Sequence, residues 1–358
     1  MRERVFVAMS GGVDSSLAAA LLADRGHDVV GVWMRLTPEP VSSDAPRCCG
    51  TDEAGEEARR AAAHLGIPFY ALDYAEVFGK TVVDRFVSSY AAGETPNPCV
   101  SCNAHVKFEA LLRDVIAKFG ASKLATGHYA RVRRDGDRYR LMRARDAAKD
   151  QSYALYMLGQ RELSRTLFPI GELRGKDETR ELARGFGLPN AQKVESQDIC
   201  FVAGDHRDLV RKKAPEAFRP GPVERTDGTS IGTHPGMGAL TVGQRRGVGI
   251  ADGERLYVLR LDLDRNVAVV GRRDDVVTTS YELRDIRFTS DRPVGLTIAC
   301  DVALRYRGQV IPCEVRVNAD RAILSLSHPS LIAPGQAAVL YDHDEVIGGG
   351  TVARALAA

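Results

Sequence analysis

A chain of 358 residues has room for two or three domains, each with its own core. Hydrophobic and charged fractions of 44% and 27% are ordinary for a globular protein in water, and no stretch is long and apolar enough to span a bilayer. A formal net charge of +2 neither demands nor excludes nucleic acid, and seven cysteines with no apolar signal region ahead of them read as cytoplasmic thiols, not a secretory disulfide framework.

In chain order, Val5-Phe-Val-Ala8 predicts a buried parallel strand, and Leu17 to Ala23 lies in a helix predicted from Asp14 to Arg25. Between them stands Ala8-Met-Ser-Gly-Gly-Val-Asp-Ser-Ser16. A strand, a tight Gly-Gly turn and a helix start gather backbone N–H groups at one spot, with the positive end of the helix dipole behind them, which makes an anion site. Ser10, Ser15 and Ser16 add hydroxyls, and Asp14 suits either a helix cap or a magnesium ligand. No Gly-Lys-Ser/Thr ending follows, so this is not the Walker loop. The competing reading is a plain Gly-rich turn capped by Asp14. The full SGGVDS string is more specific than that, and it resembles the pyrophosphate loop of the N-type ATP pyrophosphatases.

Further strands are predicted at Val29 to Met34 and Pro68 to Leu72, separated by a helix over 52–65. That βαβαβ order implies a doubly wound parallel sheet with ligands at the carboxyl ends of its strands. Helices over 75–92 and 103–119 precede a short strand, Lys123 to Thr126, ending in Gly127-His128-Tyr129. Arg131 to Arg145 holds seven arginines against two aspartates and predicts a hairpin turning at Asp135-Gly136. It is either a solvated edge whose charges prevent aggregation or a phosphate-contacting surface. Lys149-Asp-Gln-Ser-Tyr153 is expected to open a helix reaching Gly159, another helix runs over 177–186, and Ile199 to Val202 reads as a buried strand. Prolines 215, 220 and 222 mark a linker. The expected domains are 1–205, α/β; 206–275, small and β-rich; and 276–358, an antiparallel β-barrel of short alternating strands.

The cysteines narrow the chemistry. Cys99 and Cys102 lie in Thr95-Pro-Asn-Pro-Cys-Val-Ser-Cys-Asn103, a loop stiffened by two prolines, with Asn103 as the expected cap of the following helix. A helix N-terminus stabilises a thiolate. Cys200 sits in Ser196-Gln-Asp-Ile-Cys-Phe201. These three thiols could be buried structural groups, metal ligands leaving one open coordination position, or partners in thiol–disulfide sulfur transfer. Cys300 and Cys313 alternate with aliphatic residues and read as barrel core, whereas Cys48 and Cys49 lie in a loop without an assigned role.

SGGVDSS, TPNPCVSCN, ATGHYARV, KDQSY, LFPIGEL, SQDICFV and GQRRGVGI occur here in the order seen in the tRNA-specific 2-thiouridylases, and the resemblance covers nearly the whole chain. It implies that ATP adenylates O2 of the wobble uridine in the tRNAs for Lys, Glu and Gln, and that a protein persulfide then delivers sulfur to C2. It also implies that Ala8, Met9, Ser10, Gly11, Gly12, Val13, Asp14 and Ser15 hold ATP and its Mg2+, with Met34 and Gly127 at the adenosine. Cys200 would receive sulfur from a relay protein or cysteine desulfurase, and Cys102 would resolve it, through hydrosulfide or a Cys102–Cys200 disulfide. His128, Lys149, Asp150, Gln151, Arg305, Tyr306 and Gln336 would contact tRNA. Some members carry Asp at the position of Cys99, where the carboxylate is proposed as a base on the neighbouring thiol, and the resemblance does not carry that role over to Cys99. Cys99, Cys102 and Cys200 could instead hold a 4Fe–4S cluster. A different PP-loop ligase would lack the paired thiol motifs, and a non-catalytic RNA-binding protein would release no AMP.

Overall fold

The computed structural model describes residues 2–37, 51–193, 199–202, 204–248, 250, 255–276, 278–290, 295–318 and 320–356. Cys48 and Cys49 lie outside these residues, as do Ser196 to Asp198 of the Cys200 motif. Strand β1 (Arg4–Ala8) leads into helix α1 (Val13–Asp24), followed by β2 (Asp28–Arg35), α2 (Asp52–His64) and β3 (Phe69–Asp73). After helical runs 75–91 and 98–119 come β4 (Lys123–Thr126), a hairpin of β5 (Ala130–Asp135) and β6 (Arg138–Arg143), and the short β7 (Thr166–Leu167). Five of these strands form a parallel sheet of order β3-β2-β1-β4-β7. Val5, Phe6 and Val7 are almost fully covered on both faces, as continuous apolar runs in parallel sheets require. Helix α2 begins at a Thr51 cap, whose hydroxyl accepts from the Ala54 amide, and buries an alanine stripe at 54, 58, 61 and 62.

The strand order reverses between β1 and β4, and Ala8 pairs with both Val32 and Thr126. The segments leaving β1 and β4 therefore emerge side by side, at the switch point where α/β sheets bind ligands.

Three local expectations are corrected. The second long helix starts at Pro98, not 103, because Asn97 is its cap: Oδ1 accepts from the amides of Cys99 and Val100 at 3.1 and 3.3 Å. Asn103 is instead buried within the run, where 102–111 winds as a π-helix, and its Nδ2 donates to the Ala154 carbonyl at 2.8 Å. The segment from Lys149 to Gly159 contains only a 3₁₀ turn, Ser152–Leu155, since Asp150 draws the Ala144 and Ser152 amides to its own carboxylate. Ile199 to Val202 forms a turn closed by the Val202 amide on the Ile199 carbonyl, not a strand.

The middle unit is a four-stranded sheet of β8 (Gly221–Arg225), β9 (Ser230–His234), β10 (Tyr257–Asp262) and β11 (Val267–Gly271), ordered β10-β11-β8-β9 around Val223, Val258, Ala268 and Val270. The last unit comprises β12 (Ser280–Phe288), β13 (Thr297–Ala303), β14 (Val310–Asn318), β15 (Arg321–Leu326), β16 (Ala337–Asp342) and β17 (Glu345–Ala355). These follow one another as β12-β15-β14-β13-β16-β17, and a β12–β17 pairing closes the ring. The arginine-rich hairpin joins this barrel, since β6 pairs with β17 through Leu141 opposite Val346 and Met142 opposite Glu345. Much of its charge is used internally. Arg140 is bridged to Asp135 and Glu345, Arg131 to Glu172 and Asp344, and Arg143 lies over the Tyr341 ring.

The barrel also grips the loop ahead of the cysteine helix. Arg284 makes a two-pronged pair with Glu94 at 2.8 Å per bond, the Thr95 amide donates to the Pro334 carbonyl, and Gln336 Nε2 donates to the Thr95 carbonyl. Gly335 lets the two backbones meet: its φ is +87°, and a Cβ there would stand 2.9 Å from the Thr95 nitrogen. Gly335→Ala is therefore expected to cost about 1–3 kcal/mol. Hydrogen exchange should rise first in 94–101, with the β1–β4 ladder still protected; uniform loss of protection would contradict a local clamp.

Candidate active site

The loop after β1 is shaped by what its glycines exclude. Gly11 has φ +76°, and a Cβ on it would collide with the Ala54 carbonyl of α2. A Cβ on Gly127 would stand 2.6 Å from the Ser15 nitrogen. The two switch-point segments are thus in backbone contact at the first turn of α1, where the leading amides have no carbonyl one turn back to bond. Gly12 is the N-cap and supplies no side chain, so Asp14 does not cap the helix. Inside the turn Ser15 Oγ accepts from the Ser10 amide at 3.1 Å, and both Ser15 and Ser16 donate to the Gly12 carbonyl. Asn190 fixes the outside, its Nδ2 donating to the Gly11 carbonyl at 3.0 Å and to Ser16 Oγ at 2.9 Å.

Asp14 carries charge in another way. Lys176, at the start of the helix Lys176–Gly185, places Nζ 2.8 Å from Asp14 Oδ1, and its side chain is only 9% exposed. The Tyr129 hydroxyl donates to the same oxygen at 3.2 Å and lies 2.7 Å from Thr179 Oγ1. A buried ammonium, open helix amides and serine hydroxyls around one turn suit a polyphosphate. With Oδ1 engaged by a cation, Asp14 is a counter-ion first, and any Mg2+ it helped to hold would arrive with the phosphates. Lys176, Tyr129 and Asn190 escaped the sequence reading, because Lys176 looks like an ordinary helix start and Asn190 like a residue after a helix stop.

The remaining expected residues divide by environment. Ala8, Met9 and Val13 are buried and serve the loop through their backbone, and Met34 is core, 7% exposed, in the cluster that contains Cys102. His128 packs between Phe108 and Phe168, with Nδ1 2.7 Å from Thr126 Oγ1. Burial, and then the Lys107 ammonium, hold it well below the usual imidazole range. Gln151 braces Tyr129 through its side chain and its amide, and Gln336 is spent on Thr95. Arg305 and Tyr306 are exposed at the tip between β13 and β14. The Tyr306 ring centroid lies 6.3 Å from that of Tyr153. Partial covering of its hydroxyl end holds Tyr306 above the usual phenol range, the Arg307 guanidinium opposes this, and Asp150 and Cys99 lie near enough to add to the rise. The barrel tip, the Lys149 segment and the cysteine loop therefore converge.

Within one helical turn Cys99 is exposed and Cys102 buried, while half-buried Cys200 packs with Phe201 against the cluster containing Cys102. None carries a disulfide. Among the described residues no three His, Cys, Asp or Glu side chains stand together as metal ligands, so Cys99, Cys102 and Cys200 do not fit a cluster in this conformation.

A parallel sheet with a phosphate turn at its switch point, a clamped thiol loop and two appended β units defines a nucleotide-using α/β enzyme with accessory β domains. Three family profiles match in succession: tRNA methyl transferase HUP domain over residues 3–204, tRNA methyl transferase PRC-barrel domain over 207–272, and aminomethyltransferase beta-barrel domain over 278–352. Proteins named tRNA-specific 2-thiouridylase MnmA are similar end to end. The one from Chloroflexus aggregans is 47% identical over 354 residues, covering 98% of each chain. That from Roseiflexus castenholzii is 44% identical over 370 residues, covering 98% of this chain and 99% of the relative, and that from Moorella thermoacetica is 44% identical over 353 residues, covering 97% and 98%. The chain belongs to the tRNA-specific 2-thiouridylase family.

His128 sets a pH dependence. Folded, it is held neutral well below the usual imidazole range, whereas the unfolded imidazole protonates at about 6.5, so below that pH the unfolded chain binds more protons. Unfolding free energy should fall as pH drops below about 6.5. His206 and His234, also lowered by burial, act in the same direction. Urea unfolding of His128→Asn should show a shallower decline than the parent; identical slopes would place the His128 titration elsewhere.

Proposed function

We propose that this protein converts the wobble uridine of tRNA to 2-thiouridine at the expense of ATP. The observation that carries the reading is a lysine-bearing turn at the switch point of the sheet, whose neighbour strand end reaches the cysteine helix through His128 on Phe108, together with a thiol-bearing helix start clamped by the barrel. No helix among the described residues is long and apolar enough to cross a membrane.

ATP enters with Mg2+ on its phosphates, and O2 of the uridine attacks the α-phosphorus as pyrophosphate leaves. The turn amides, Ser10, Ser15 and Lys176 neutralise the departing charge, and Asp14 and Tyr129 hold the ammonium in place. Adenylation turns a poor leaving group into AMP. The terminal sulfur of a Cys200 persulfide, loaded by a relay protein or cysteine desulfurase, then attacks C2 and AMP departs. The Cys102 thiolate attacks Cys200 Sγ, frees the thiocarbonyl and leaves a Cys102–Cys200 disulfide for an external thiol to reduce. Their placement in or against one apolar cluster supports this pairing. Tyr306 and Arg305 are the exposed groups suited to nucleotide contact, and Lys149, Asp150, Gln151, His128 and Gln336 shape the ground beneath. The tRNAs for Lys, Glu and Gln are the proposed substrates.

Thiolation of an unmodified wobble-uridine tRNA, given ATP and a sulfide source and scored by retardation on a mercury-containing gel, tests the assignment. No retarded band and no AMP would reject it. With a persulfide donor, Cys200→Ser should still release AMP and pyrophosphate but form no thiouridine; retained thiolation would sink the persulfide step. Lys176→Met should lower AMP formation roughly 100-fold or more with tRNA affinity kept, and Asp14→Ala should follow it. Normal AMP release by Lys176→Met would confine the pair to a structural role.

A further inference from the structure

Two sulfur atoms outside the proposed reaction face each other in the barrel. Cys300 on β13 and Cys313 on β14 are register partners in an antiparallel ladder, with Sγ atoms 3.6 Å apart. Directly opposed residues in such ladders have Cα atoms about 4.5–5.5 Å apart, inside the span a disulfide bridges. Their surroundings differ. Cys313 is buried among Val302, Val315 and Leu324, whereas Cys300 is half-buried at the margin of that core. The hydrogen bond with Cys300, and then burial, push the Cys313 thiol up, so Cys313 keeps its proton. Cys300 is the sulfur that a dissolved oxidant reaches.

We propose that Cys300 and Cys313 form a reversible cross-strand disulfide, a modification site for hydroperoxides that is independent of the sulfur-transfer thiols. The Cys300 thiolate attacks a peroxide oxygen and the O–O bond breaks, giving Cys300 sulfenic acid and hydroxide, which is protonated to water. The Cys313 sulfur then attacks the sulfenic sulfur, the S–O bond breaks, and the oxygen leaves as a second water with the Cys313 proton. Two thiols lose two electrons and two protons overall, and one peroxide becomes two waters. A dithiol reductant reverses the bond by exchange. The cross-link would lie three register pairs below Ala303–Val310, from which the 304–309 tip with Arg305 and Tyr306 projects.

The test treats the folded full chain with equimolar hydrogen peroxide, alkylates the remaining thiols, and digests without reductant for mass spectrometry. The expected product is a Cys300 peptide joined to a Cys313 peptide, two hydrogens lighter than their sum and separated by dithiothreitol. The same product should form in the Cys102→Ser, Cys200→Ser double variant, and Cys313→Ser should leave a Cys300 sulfenic acid that dimedone traps. Full alkylation of both cysteines, or Cys300 driven to sulfinic acid with no joined peptide, would overturn the proposal. Loss of the joined peptide in the double variant would overturn its independence from the transfer thiols.

Discussion

The arrangement depends on one close approach, that of Gly127 at the end of β4 to the Ser15 amide at the start of α1. Parallel pairing of β1 with β4 brings the two chain segments out side by side, and only a residue without a Cβ lets them touch. The same constraint recurs at Gly11 against α2. Backbone contact on two sides is joined by Asn190 on the outer edge, which bonds the Gly11 carbonyl and Ser16 Oγ. Donors held in this way need not reorganise when charge develops beside them.

A second constraint links the barrel to the chemistry. The barrel could have been an independent appendage, yet β6 extends its sheet, and Pro334, Gln336 and Arg284 hold the segment that leads to Cys99. The entry of the cysteine helix is therefore set by a domain more than 180 residues away in sequence. The bonds to Thr95 use backbone groups, which position the loop with less dependence on its side chains.

Most of the α/β order was legible because continuous apolar runs and alanine-striped helices are local signals. The barrel strands were legible through period-2 alternation around Cys300 and Cys313. What misled was competition for backbone groups. Asn97 rather than Asn103 takes the free amides of the cysteine helix, because Pro98 fits the first helical position and lets the helix begin five residues earlier. Asp150 looks like a helix start but bonds amides on either side of itself, which breaks the helix it would have opened. The Lys176–Asp14 pair spans 162 residues and leaves no trace in local pattern. Nor does the pairing of β6 with β17, which turns an isolated basic hairpin into part of a barrel.

The environments of the thiols follow from the way their helix is wound. Starting at Pro98 places Cys99 in the exposed first turn, while the π-wound stretch from Cys102 turns Cys102, Asn103 and Val106 inward together. An amide side chain then sits buried beside Cys102, and it is satisfied by the Ala154 carbonyl and the Lys107 ammonium. Lys107 also contributes to keeping His128 neutral. One helix therefore carries buried Cys102, buried Asn103 and a cation that adds to what burial does at His128. Phe108 of the same helix packs on His128, so the thiol helix reaches the loop after β4 that meets the Ser15 turn.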